Sequence, residues 1–193
     1  MWHKNGAMAP PRPLRRPPPL DSKRLAELAL RYVGRYATSR AKLRAYLARK
    51  IRERGWSDSA EPDLDRLAAR FCELGYVDDA AYALAKSQAL SSRGYGKRRL
   101  DEKLRLAGID EADGAEARDH ADARAVDSAL RFAERRRIGP YAANASDPRQ
   151  REKAISAMVR AGHPFALARA IAALRPGAIV DIEELREQSR IGR

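Results

Sequence analysis

A chain of 193 residues with 39 Lys and Arg against 26 Asp and Glu, a formal charge of +13, is long enough for one good-sized domain or an array of small units. That excess of positive charge points to polyanionic company, either nucleic acid or a surface that binds it. Cys72 is the only cysteine, which excludes a disulfide framework or a cysteine-rich metal site within the chain and suits a reducing, cytoplasmic setting. No apolar run approaches the roughly 20 residues of a membrane span, and the start of the chain lacks the apolar stretch of a secretory signal.

Residues 1–20 hold six prolines and four basic residues with no acid, a composition that stays extended and unpacked, and we expect a disordered arm there. From Asp21 onward Ala, Leu and Arg dominate, and the pattern becomes helical. Leu25, Leu28, Ala29, Tyr32, Val33 and Tyr36 form an apolar stripe, with Lys23, Arg24, Arg31 and Arg35 off it. Thr38 and Ser39 can cap a second helix carrying Leu43, Leu47 and Ile51, which stops near Gly55. A loop through Trp56 and Pro62 leads to a third helix with Leu64, Leu67, Ala68 and Phe71 inward; Cys72 beside it reads as a small core hydrophobe.

Asp78 starts the next helix, on which Ala81, Leu84, Ala85 and Ala89 recur at helical spacing, with Tyr82 and Gln88 flanking. That helix breaks at Ser91-Ser92-Arg93-Gly94-Tyr95-Gly96, where two glycines flank an aromatic and make a tight corner. A strongly basic helix follows, with Leu100 and Leu104 four apart and Gly108 as its stop. An acidic segment near 109–120 is interrupted by Gly114. Later, Asp147-Pro148 opens a helix with Gln150 at the capping-box position, and that helix stops at Gly162. Beyond Pro176-Gly177, Asp181 and Glu184 can cap a last short helix at 182–189.

Gly55, Gly108 and Gly162 lie 53 and 54 residues apart, each preceded at matching offsets by apolar residues. We therefore expect three three-helix units, at 21–75, 76–120 and 121–175, each needing its neighbour to bury a face, with a short helix or tail at 176–193. The fold class is all-α: a tandem array of three three-helix repeats, elongated and curved. The second helix of each unit is basic, with Arg40, Lys42, Arg44, Arg49, Lys50 and Arg52 in the first. Lys97, Arg98, Arg99 and Lys103 play that part in the second unit, and Arg149, Arg151 and Lys153 in the third. Stacked units would line these helices up as an extended basic track.

Nothing in the chain assembles into an active site. His3, His120 and His163 are scattered, and none has a second ligand at metal spacing, so no metal or cofactor is expected. His163 before Pro164 suits a cap or the surface. Gly94-Tyr95-Gly96-Lys97 lacks the spacing and the hydroxyl residue of a phosphate-binding loop, and Asp78-Asp79 is accounted for by helix capping. Tyr76 and Tyr82 read as core. Tyr95, on its corner beside the basic helix, is open to either packing or base stacking. The chain reads as a non-enzymatic protein with no small-molecule substrate.

Three pieces carry a resemblance. Leu-Gly-Tyr-Val-Asp-Asp-Ala-Ala-Tyr at 74–82, Arg-Gly-Tyr-Gly at 93–96, and Leu100, Leu104 and Gly108 in turn are similar, in order and spacing, to the RecX family of bacterial recombination regulators. The resemblance runs from Leu25 to Leu174 and is strongest at 74–108. The third unit keeps only the family's outline, and Ile51-Arg-Glu-Arg-Gly55 adds a turn before its glycine. Such a resemblance implies a helical, monomeric protein that binds the filament of the RecA recombinase on single-stranded DNA. There it would lie along the groove, bridge subunits and lower filament extension, ATP hydrolysis, strand exchange and coprotease activity. The residues expected to make contact are Arg93, Tyr95, Lys97, Arg98, Arg99 and Lys103, with Arg40, Arg44 and Arg49 supporting. The alternative is a basic DNA-binding module that needs no recombinase and whose affinity falls steeply with salt.

Overall fold

Residues 17–191 are described by a computed structural model. Among them ten α-helices follow one another: α1 (Ser22–Val33), α2 (Arg40–Arg54), α3 (Leu64–Glu73), α4 (Asp79–Ser92), α5 (Lys97–Leu106), α6 (Ala115–Ala123), α7 (Ala125–Arg136), α8 (Pro148–Arg160), α9 (Phe165–Ala173) and α10 (Ile182–Ile191). A single 3-10 turn, Gly139–Tyr141, separates α7 from α8. The described residues contain no strand beyond an isolated bridge between Leu20 and Trp56. The all-α class expected from composition and periodicity is the one the chain adopts.

The helix starts are written locally. Asp21, Ser39, Asp63, Asp78 and Asp147 each accept the backbone N–H of the residue three further on, which satisfies an amide that has no partner inside the helix. At Asp147 the reciprocal bond from its own N–H to Gln150 completes the capping box read from the sequence.

Buried apolar side chains fall into three clusters in chain order. Leu25, Leu43, Leu47 and Phe71 anchor the first, Tyr82, Leu100 and Leu104 the second, and Phe132, Met158, Leu167 and Ile171 the third. Each of the wholly buried leucines contributes on the order of 1.5–3 kcal/mol relative to exposure. Helix α10 closes the third cluster by burying Leu185 against α7 and α9.

Several side chains sit elsewhere than their spacing suggests. The inward face of α4 is Tyr82, Ala83 and Ser87, whereas Ala81, Ala85 and Ala89 are exposed. Alanine on every side of a helix gives no direction, and the decisive contact is remote. Ser87 donates its hydroxyl to the Ala117 carbonyl at 2.7 Å, and the small side chains of Ala83 and Ala117 let α4 and α6 approach closely. Tyr76 was expected in the core but is 54% exposed, its ring leaning on Phe71. The expected disordered arm falls mainly on residues 1–16, which lie outside the described residues. Leu20 at its end is fully buried in the first cluster.

Candidate functional site

The second helices of the three groups meet end on end. At the first junction the start of α2 sits on the end of α5. Ser39 donates its hydroxyl to the Ala107 carbonyl at 2.5 Å, the Arg40 N–H donates to the Asp79 carboxylate at 2.7 Å, and Lys42 reaches the Tyr82 hydroxyl at 2.5 Å. Burial pushes the Asp79 carboxyl above the usual range, although the Arg40 amide pulls the other way. Asp78 caps its own helix while Asp79 serves a helix of the neighbouring group, a division of labour invisible in the dipeptide.

The second junction repeats the geometry with backbone alone. The N–H of Gly96 donates to Ala161 at 3.0 Å, and that of Arg98 to Gly162 at 3.3 Å, so α5, which has no side-chain cap, is capped by the C-terminal end of α8. Gly162 is required here: its φ is +100°, and a Cβ would lie 2.6 Å from the Arg99 nitrogen. Behind the joint, His163 is buried, not capping or at the surface as its sequence suggested. Its Nε2 lies 3.0 Å from the Gly94 carbonyl, so that nitrogen carries the proton, while Nδ1 is buried without a partner. Burial holds its pKa down at about 4, against a smaller raising effect of the Gly94 bond.

Head-to-tail contact of α2 on α5 and α5 on α8 puts the three basic helices in succession, and the basic residues divide by what holds them. Lys97 pairs with Asp122 at 2.6 Å and Arg99 with Glu102 at 2.6 Å, while Arg118 of α6 holds Asp101 at 3.1 Å. Lys97 and Arg99 are thus engaged inside the protein. Arg93 and Arg98 are exposed, have no acid partner among the described residues, and face outward beside half-buried Lys103. On α2, Arg44 pairs with Asp65 at 2.7 Å and Arg49 with Glu53 at 3.5 Å, whereas the exposed Arg40 side chain has no such partner among the described residues.

Tyr95 is half-buried against the third cluster and forms one wall of a surface groove of about 660 Å³ with Phe132, Arg135, Arg136 and Arg160. The guanidinium groups of Arg135 and Arg136 lie 5.9 and 5.8 Å from the Phe132 ring centre. Arg160 also lines an adjoining hollow of about 470 Å³ with Arg98, Arg99 and Arg105. The junction therefore brings Tyr95 and Arg98 together with three arginines of the third group that sequence reasoning passed over. The run Arg135-Arg136-Arg137 at the end of α7 is the signal that could have pointed to two of them, whereas Arg160 at the end of α8 had none.

Among the described residues no group of His, Cys, Asp or Glu is placed to hold a metal ion, and no helix is long and apolar enough to cross a membrane. The arrangement offers an electrostatic and stacking surface.

No protein-family model matches the chain. It is similar to the regulatory protein RecX of Myxococcus xanthus, 28% identical over 167 residues, 81% of this chain and 88% of that protein. The RecX proteins of Mycobacterium sp. (strain KMS) and Thermus thermophilus are 37% and 42% identical, over 49% and 43% of this chain. Those two matches span about half of each relative, 51% and 52%. In fold the chain is similar to the crystal structure of RecX from Lactobacillus salivarius, with a TM-score of 0.56 over 77% of this chain and 92% of that one, at 17% identity.

Proposed function

We propose that this chain, similar over most of its length to a RecX protein in sequence and to another in fold, is a non-enzymatic regulator of homologous recombination and DNA repair that binds the RecA filament on single-stranded DNA. It acts in the cytoplasm as a monomer of three units, 21–75, 76–120 and 121–175. These lie along the filament, bridge its subunits and inhibit extension, ATP hydrolysis, strand exchange and coprotease activity. The observation that carries this reading is the succession of α2, α5 and α8 through the two junctions, which gives one molecule a line of basic helices to lay against a repeating acidic partner. Arg93, Arg98 and Lys103 make the outward contacts, with Tyr95 beside them in the groove. Lys97 ties α5 to α6 through Asp122, Arg99 pairs with Glu102 within α5, and Arg40, Arg44 and Arg49 extend the contact onto the first unit.

The groove of Tyr95, Arg135, Arg136 and Arg160 favours a second reading, a module that binds nucleic acid directly. ATP hydrolysis by RecA on single-stranded DNA, measured while the protein is titrated in, separates the two. The regulator predicts inhibition at well below one molecule per recombinase subunit, weakened when Arg93 and Arg98 are both changed to alanine. The absence of inhibition alongside tight, salt-sensitive binding to bare DNA would overturn it and leave the DNA-binding module.

A further inference from the structure

The first group of helices carries an aromatic ladder whose rings the proposed filament contact does not use, although Arg49 at its inner end is shared with that contact. Tyr32 on α1 and Tyr46 on α2 stack with ring centres 4.0 Å apart and planes within 12°. Tyr36 follows at the outer end, 5.4 Å from Tyr32 and tilted by 51°. It is fixed there by the turn that ends α1, in which the Arg35 and Tyr36 amides both donate to the Tyr32 carbonyl, at 3.1 and 3.0 Å. At the other end, the Arg49 guanidinium carbon and the Lys50 ammonium lie 5.7 and 5.8 Å from the Tyr46 ring centre.

Tyr32 and Tyr46 are half-buried against the first core cluster, which fixes the ladder, but Tyr36 is 53% exposed. Packing alone does not call for a third ring stepping out of a stack into water, one residue along the chain from the exposed Arg35. A rigid stack with one open end and cations alongside matches what an unpaired base and its phosphates need. Aromatic faces accept any base, and the cations neutralise the backbone. A duplex presents no free base face, so only a single strand uses the open ring.

From this we infer that Tyr36, Tyr32 and Tyr46, with Arg35, Arg49 and Lys50, form a stacking site for single-stranded nucleic acid. The site works without any recombinase and is separate from the groove at Tyr95. Glu53 restrains it: its carboxylate pairs with Lys50 at 2.6 Å and with Arg49 at 3.5 Å, so a phosphate must displace it.

The test is fluorescence anisotropy of labelled oligo-dT and oligo-U of about 20 nucleotides with the full chain at low salt and no recombinase, with a duplex of equal length in parallel. Tyr36→Ala is expected to weaken single-strand binding by roughly 5- to 150-fold, the value of one base–aromatic stack, and Tyr36→Phe to leave it unchanged. Glu53→Gln is expected to tighten it, because Arg49 and Lys50 are released. Loss for only one of the two oligomers assigns the site to DNA or to RNA. Duplex affinity should not respond to Tyr36→Ala. Equal loss for strand and duplex, or unchanged single-strand binding by a Tyr36→Ala protein whose melting temperature is also unchanged, overturns the inference. Inhibition of recombinase ATPase is read separately, so failure of this site leaves the filament reading intact.

Discussion

Replacing Gly96 by alanine tests whether the α5–α8 joint holds the protein together. Gly96 has φ −86° and ψ 173°, ordinary extended backbone for any residue, so the substitution brings no conformational penalty of its own. Space is the obstacle: a Cβ there would be driven into the Gly162 carbonyl and would stand 2.7 Å from the His163 nitrogen, both of them backbone. Relief requires α5 and α8 to part, which strains the packing by about 1–3 kcal/mol and weakens two backbone hydrogen bonds worth about 0.5–1.5 kcal/mol each. Alanine returns about 0.4–1 kcal/mol by stiffening the unfolded chain, leaving a net loss of about 2–4 kcal/mol. For a chain of this size that is a fall in Tm of about 5–15 °C, read by circular dichroism at 222 nm. Gly75→Ala is the matched control, because its φ is +72° with nothing within 4 Å of a Cβ, so it carries only the left-handed strain of about 1–2 kcal/mol. The Gly96 variant should melt lower than the Gly75 variant and, if the proposed regulation of RecA runs through this joint, lose that effect while the Gly75 variant keeps it. A Gly96 variant melting at or above the Gly75 variant would refute the steric argument.

Two further outcomes follow from the joints. His163 is neutral when folded, with its pKa at about 4, but charges near pH 6.5 once unfolded, so its contribution is complete above about pH 6.5 and is lost as pH falls toward 4. Urea unfolding should show about 2 kcal/mol less stability at pH 5 than at pH 7.5 from this group, and His163→Gln, which removes the titrating ring, should flatten that slope. Ser39→Ala removes both the α2 cap and the bond to Ala107, and should cost about 1–3 kcal/mol in the same assay; a loss under about 0.5 kcal/mol would show that the first joint does not depend on it.

What could be read from the sequence was what is local. Caps at Ser39, Asp78 and Asp147 and the stop glycines are short-range chemistry, and the chain wrote them plainly. The spacing of Gly55, Gly108 and Gly162 corresponds to a shared geometry, since all three have positive φ at the ends of second helices. Contacts between groups were not legible. Ser39 meets Ala107 across 68 residues, and His163 meets Gly94 across 69, so nothing near His163 announced that it would be buried. Ser87, which the apolar periodicity of α4 leaves out, is one of its inward residues with Tyr82 and Ala83. Of the basic residues expected to make contact, Lys97, Arg99, Arg44 and Arg49 have acids beside them that no linear reading pairs correctly, except the near neighbours Glu102 and Glu53.

One end of the helix succession is occupied by a segment of the chain itself. Where α2 ends, no further helix among the described residues sits down: the Leu20 amide donates to the Gly55 carbonyl and the Arg54 guanidinium clasps the Pro18 carbonyl, in the place α5 takes on α8. Where α8 begins, its free amides are answered by its own Asp147 and Gln150. The end of α2 is thus filled by the chain itself, while the start of α8 carries a local cap of the same kind as Ser39 on α2. A unit added beyond α2 would therefore have to displace the Leu20 segment before its own helix could sit there, so growth of the succession on that side is opposed by contacts already made.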